Sequence, residues 1–321
     1  MLSHTPTPSG LTRREMLRNS AFAALVLGLG GTRALRAASA PRKKVLFFSK
    51  CSNYQHSVVK DDGGNGSGSL VGKVLAEIGP KNGFDITYSK DGSLFTPEYL
   101  ASFDAYLFFT SGDLLAPGTD KNPPMTVAGK AAFLDAIKSG KGFVGTHSAA
   151  DSFHTGETVL TDTKIRTQRY KNFGDAADPY TRMIGGGFIM HSKQQVATER
   201  VVDQKFPGFT GLGSSFSLME EWYSLNDFSQ DLHVILAQET ATMEGNPYKR
   251  PPYPSTWARM HGKGRVFYTS MAHRDENWAS ARFQGMLLGA LSWATGNVDA
   301  DVTPNISEVT PGAWQLPPEG A

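Results

Sequence analysis

Four histidines each follow a strand-like or glycine-rich stretch: His56, His147, His191 and His273. Near neutral pH an imidazole can serve as base, acid or metal ligand. Glu220 and Glu221 add carboxylates on a strand candidate, Leu218 to Leu225. Alternation along a strand sends the two to opposite faces, so only one can join the histidines; Glu221 is the candidate, as acid or ligand. Imidazoles with one carboxylate make a common ligand set for zinc, iron or manganese. His56, His147, His191 and His273 are therefore candidate metal ligands. No compact HExxH motif is present, so this expectation rests on strand ends meeting in space.

His147 sits in Lys141-Gly-Phe-Val-Gly-Thr-His-Ser-Ala-Ala-Asp151. The stretch reads as a buried strand running into a tight turn and then a helix. It has the outline of a nucleophile elbow, but a histidine occupies the nucleophile's place and Ser148 is one position off. Should a helix begin at His147, Asp151 shares its face. Asp151 then holds the second imidazole nitrogen, binds a sugar hydroxyl, or simply favours the helix dipole. Asp113 and Gln195 are weaker polar candidates for substrate contact. Tyr54, Trp222, Tyr223 and Trp257 have the chemistry to stack on a sugar ring, or to fill a core.

Several function classes drop out. The one cysteine, Cys51, excludes an intrachain disulfide framework and a cysteine-rich metal centre. As a lone small residue it is a poor candidate nucleophile. There is no P-loop, and Gly185-Gly-Gly187 does not fit a dinucleotide fingerprint, so no nucleotide cofactor is expected. Residues 1–40 carry five arginines and one glutamate; the remainder holds 27 basic against 29 acidic residues, which does not suggest a nucleic-acid partner.

The elements that must position these groups alternate. Val45–Ser49, Phe84–Tyr88, Ala105–Thr110 and Gly142–Thr146 read as strands, with helices at Leu70–Ile78, Thr96–Leu100 and Val127–Ile137 between them. Such βαβ units build an α/β fold with a mainly parallel sheet. The pattern loosens beyond residue 151. Residues 152–180 form a long polar insert, and further strands lead to Arg265–Ser270 and a closing helix, Phe283–Trp293. We read residues 41–298 as one domain with an elaborated C-terminal half, and 299–321 as a proline-rich surface tail. Arg13-Arg14, the apolar stretch Ala21–Gly31 and Ala37-Ala-Ser-Ala40 form a twin-arginine-type signal peptide over residues 1–40. The apolar run is too short to span a bilayer. The expected location is periplasmic or extracellular, with no membrane span after the signal is removed.

Several segments together resemble the ThuA-like (trehalose utilisation) family. They are Val45-Leu-Phe-Phe-Ser-Lys with His56-Ser57, Phe95–Leu100, Gly142–Asp151, Gly185-Gly-Gly-Phe with His191, Glu221-Trp-Tyr223, and Gly264–Thr269 with His273. The resemblance spans about residues 43–296. It departs at Glu220, where the family often has aspartate, and in the long 152–180 insert. It implies a flavodoxin-like core related to class I glutamine amidotransferases, with helices on both faces and His147 in place of the amidotransferase cysteine. Glutaminase activity is therefore not expected. It also implies use of a small carbohydrate, a disaccharide or its 3-keto derivative. Two functions follow: an enzyme that hydrolyses, eliminates or isomerises a glycoside, or a carbohydrate-binding accessory protein without turnover.

Overall fold

The computed structural model describes residues 41–154 and 169–319. The signal expected over residues 1–40 and the middle of the 152–180 insert lie outside them.

The first half of the chain builds a parallel sheet. Strand β1 (Lys43–Phe48) is followed by helix α1 (Leu70–Lys81), β2 (Phe84–Ser89), a short α2 (Pro97–Ala101), β3 (Ala105–Phe108), α3 (Val127–Lys138) and β4 (Gly142–Thr146). Each helix opens on a hydroxyl cap. Ser69, Thr96 and Thr126 accept hydrogen bonds from the backbone N–H of Gly72, Tyr99 and Gly129, satisfying donors that a helix start leaves free. Alternation along β1 feeds two cores. Val45 and Phe47 pack toward α1, while Leu46 and Phe48 pack toward Phe95, Leu100 and Phe133 on the other face. Helices therefore cover both sides.

The second half adds α4 (Pro179–Ile184), β5 (Gly187–His191), β6 (Gln195–Val201), β7 (Ser215–Glu220), β8 (Tyr223–Asn226), β9 (His233–Glu239), β10 (Tyr253–His261), β11 (Gly264–Thr269), α5 (Asp275–Ala279), α6 (Ala281–Ala294) and α7 (Ile306–Val309). The large sheet runs β2-β1-β3-β4-β11-β10-β9-β6-β7, and β5 pairs with β8 in a separate two-stranded sheet. Strands β2, β1, β3, β4 and β11 are parallel neighbours. With β11 as fifth strand this is the flavodoxin order. The other pairings, from β11 through β10, β9 and β6 to β7, are antiparallel.

Two expectations are corrected. Leu218–Leu225 is not one strand: it breaks at Glu221-Trp222, where the chain leaves the large sheet for the small one. The segment after Asp299 does not merely lie on the surface. Ile306 and Ala313 are buried, Asn305 pairs through its side chain with the backbone of Val234, and the Arg250 guanidinium donates to the carbonyl of Ala313.

One buried carboxyl gives the fold a pH signature. Glu199 on β6 faces Gln238 on β9. The Ser255 hydroxyl donates to its Oε2, while its Oε1 and the Gln238 Oε1 have no hydrogen-bond partner among the described residues. Burial pushes the Glu199 carboxyl up to about 8. Protonation removes the cost of burying a charge whose Oε1 no donor among the described residues meets. Between the unfolded value near 4.5 and the folded value near 8, the folded state holds a proton that the unfolded state has lost. Stability must therefore fall as pH rises through that window, by an amount on the order of a few kcal/mol. Melts from pH 5 to 9 should show this slope, and Glu199→Gln should flatten it; an equal slope in the variant would refute the assignment.

Candidate metal and acid–base site

Three of the histidines stand at carboxyl ends of parallel strands, where open α/β sheets bind ligands. His56 follows β1. Its loop is braced by the Ser111 hydroxyl, which donates to Tyr54 O, and by Gln55, which donates to Asp120 Oδ2 at 2.8 Å. Lys90 holds that same oxygen at 2.6 Å. His147 follows β4 with φ of +45°, a left-handed conformation rare outside glycine, which costs about 1–3 kcal/mol and persists only when its surroundings enforce it. The Tyr268 hydroxyl donates to its carbonyl at 2.8 Å. His273 follows β11 and comes directly after Ala272, whose φ is +110°.

The proton on His147 can be placed. Its Nδ1 is 2.8 Å from the carbonyl of Ser270. A carbonyl only accepts, so Nδ1 carries the hydrogen and Nε2 presents a lone pair. That lone pair faces Glu221 Oε2 at 3.3 Å. The same carboxylate oxygen lies 3.2 Å from His273 Nδ1 and 3.7 Å from His56 Nε2. One ligand atom from each of His56, His147, Glu221 and His273 falls within 4.8 Å of the others, so this group can hold a metal ion.

Electrostatics explains what the centre needs. Burial pulls His147 down to about 3, and burial also lowers His56. Burial acts to raise Glu221, but the surrounding His147, His273 and His56 hold it well below the usual carboxylate range. Burial acts to lower His273, yet its contact with Glu221 prevails and raises it. A carboxylate thus faces imidazole lone pairs, and an N–H donor or a cation must sit among them. One source is a proton on His273 Nδ1, shared between Glu221 Oε2 and His147 Nε2 at 3.3 Å. Arg274 favours this state: it donates to Gln194 Oε1 at 2.5 Å, so the Gln194 amide nitrogen donates to His273 Nε2 at 2.9 Å. The other source is a divalent cation. Such an ion would be held by imidazole lone pairs of His56, His147 and His273 and by the Glu221 carboxylate.

The remaining candidates sort by position. His191 stands at the rim, its Nδ1 3.6 Å from the second Glu221 oxygen and its ring stacked on Tyr223; the compact group of four contains Glu221 in its place. Tyr223 packs against the His147 ring at 4.2 Å and is buried. Tyr54 is exposed beside His56. Asp151 does not share a face with His147, because residues 147–151 form a 3₁₀ turn, which rotates roughly 120° per residue. It pairs with His154 and, at 3.2 Å, with Arg169. Trp222 and Trp257 are fully buried, their indole N–H groups donating to Gln195 O and Ile184 O, so neither can stack on a ligand. Gln195 clamps the backbone of Glu244, and Asp113 caps its own turn at Leu115 N.

Sequence reasoning missed Gln194, one residue from the glutamine it named, and the partners His154 and Arg169. It also set Glu220 aside. That carboxylate is buried and collects four N–H donors: Glu221 N on Oε1, and Ala272 N, His273 N and the Asn277 amide on Oε2. Burial nevertheless pushes Glu220 up to about 7.

Comparison with known proteins gives a family and a fold. The ThuA family model, described as trehalose utilisation, matches residues 44–294. A ThuA-like protein from Bacteroides uniformis is similar at 19% identity and a TM-score of 0.56, covering 80% of this chain and 92% of that one. One from Parabacteroides merdae is similar at 16% identity and a TM-score of 0.53, covering 87% and 98%. No curated protein matches the sequence.

The aromatic residues can be separated by urea melts. Trp222→Phe and Trp257→Phe should each cost about 1–3 kcal/mol, because a buried carbonyl loses its donor. Tyr54→Ala should stay within about 0.5 kcal/mol of the parent. Unchanged stability in both tryptophan variants would contradict their placement.

Proposed function

The chain belongs to the ThuA (trehalose utilisation) family, and we propose that it is an exported enzyme acting on a glycoside or 3-keto-glycoside. The observation that carries this reading is the convergence of three imidazoles on Glu221 at the carboxyl edge of the parallel sheet. The chemistry suits a sugar already oxidised to a ketone. A C–H bond beside a keto group is acidified, and its proton can pass to the free lone pair of His147 Nε2. The electron pair then delocalises onto the keto oxygen, which accepts a hydrogen bond from the His273 Nδ1–H. Elimination follows if the adjacent glycosidic C–O bond breaks and its oxygen departs with the proton that His147 took up, and isomerisation follows if that proton returns to the neighbouring carbon.

His56, His147, Glu221 and His273 would hold zinc, manganese or iron, and a bound ion of this kind would polarise a sugar carbonyl or hydroxyl oxygen as a Lewis acid. His147 Nε2 serves either as the base or as a ligand, since one lone pair cannot do both. Tyr54, exposed beside His56, is the stacking surface for the sugar ring, and His191, its ring stacked on buried Tyr223, stands at the rim. The Arg13-Arg14 leader supports export to the periplasm or beyond. Among the described residues no helix is long and apolar enough to cross a membrane.

Metal content and turnover test the reading together. Protein purified from its exported form without chelator should carry about one zinc, manganese or iron per chain, and His147→Ala should lose it. The parent should turn over a 3-keto-glycoside, and the variant should lose activity by at least about 100-fold while keeping its melting temperature. Full activity in His147→Ala would sink the proposal. Sugar binding without turnover, in protein free of metal, would favour a carbohydrate-binding accessory role.

A further inference from the structure

We infer that Glu220 is a positioning residue that sets His273 against Glu221, an inference that rests on the proposed function of that cluster. The geometry is specific. Glu220 ends β7, and its buried carboxylate reaches both halves of the site at once. Oε1 accepts from the backbone N–H of Glu221 at 2.8 Å, which fixes the start of the link between the two sheets. Oε2 accepts from Ala272 N at 2.9 Å, His273 N at 3.2 Å and the Asn277 side chain. One carboxylate therefore ties the backbone of the central glutamate to the backbone of the histidine that touches it.

The segment held this way would not hold itself. Ala272 carries φ of +110°, a conformation that an alanine adopts only under constraint. Its N–H is fixed by Glu220, and its carbonyl accepts from the Trp278 indole at 2.9 Å. Asn277 and Trp278 both belong to α5, so Glu220 also docks that helix beneath the turn. The strain at Ala272 turns the next residue back toward Glu221, where His273 Nδ1 meets Oε2 at 3.2 Å.

A glutamine at position 220 has nearly the same shape but offers one acceptor oxygen and one donor nitrogen. It cannot serve donors on both sides, so either the Glu221 backbone or the Ala272–His273 turn is released. Glu220→Asp keeps both acceptors on a shorter arm and should be intermediate.

The test compares the full-length protein with Glu220→Gln, Glu220→Asp and, as a remote control, Glu199→Gln. Melts establish that each variant is folded. In metal-free protein, imidazole nitrogen NMR should show a fixed Nδ1–H tautomer for His273 in the parent and in Glu199→Gln. In Glu220→Gln that signal should average between tautomers, while His147, held by Ser270, keeps its own. Zinc affinity, read by chelator competition, should fall roughly 10- to 100-fold in Glu220→Gln, less in Glu220→Asp, and not at all in Glu199→Gln. A fixed His273 tautomer in folded Glu220→Gln would overturn the inference, as would an equal loss of affinity in Glu199→Gln. Should the parent itself take up no zinc, the metal part of the proposed function fails, and the tautomer comparison still decides the role of Glu220.

Discussion

An ionised carboxylate removed from water must be met by cations or N–H donors, or it will not stay ionised. Two adjacent carboxylates, Glu220 and Glu221, impose that demand at the junction between the two sheets. Glu221 is met by imidazoles from three strand ends, and Glu220 by backbone and amide N–H groups. The two point to different surroundings because they are neighbours where an extended strand ends. The site depends on this division: one carboxylate works at the centre, and the other secures the backbone around it.

The antiparallel half of the molecule makes this possible. A five-stranded parallel sheet brings His56, His147 and His273 to one edge, but contributes no carboxylate to their centre. Glu221 arrives from the far end of the large sheet, because β7 stops at Glu220 and the chain crosses to β8. Tyr223, first residue of β8, then lies against the His147 ring. The elaborated half is thus part of the site and not an appendage to it.

Much of this arrangement was legible in the sequence. Apolar runs marked the parallel strands, and the histidines just after them marked the edge where they meet. The alternation rule separated Glu220 from Glu221. It could not say what the excluded carboxylate would do, because three of its four donors lie more than fifty positions away. Trp222 and Trp257 were readable as stacking residues because an aromatic type does not reveal burial. Asp151 went astray for a narrower reason: spacing of four implies a shared face only on an α-helix, and this turn is tighter. Prolines after Asp299 suggested a loose surface segment, whereas its Asn305 pairs with the backbone of β9 and its Ala313 carbonyl accepts from Arg250.

The place of β11 has a consequence for the order in which the molecule can be completed. Although it is the last strand made, it lies between β4 and β10 in the middle of the sheet. Until synthesis passes residue 269, β4 presents a bare edge and the two halves have no common strand. An unpaired edge of this kind invites association with other chains. Strand pairing across the middle of the large sheet therefore waits on a single late insertion, and the same insertion delivers His273.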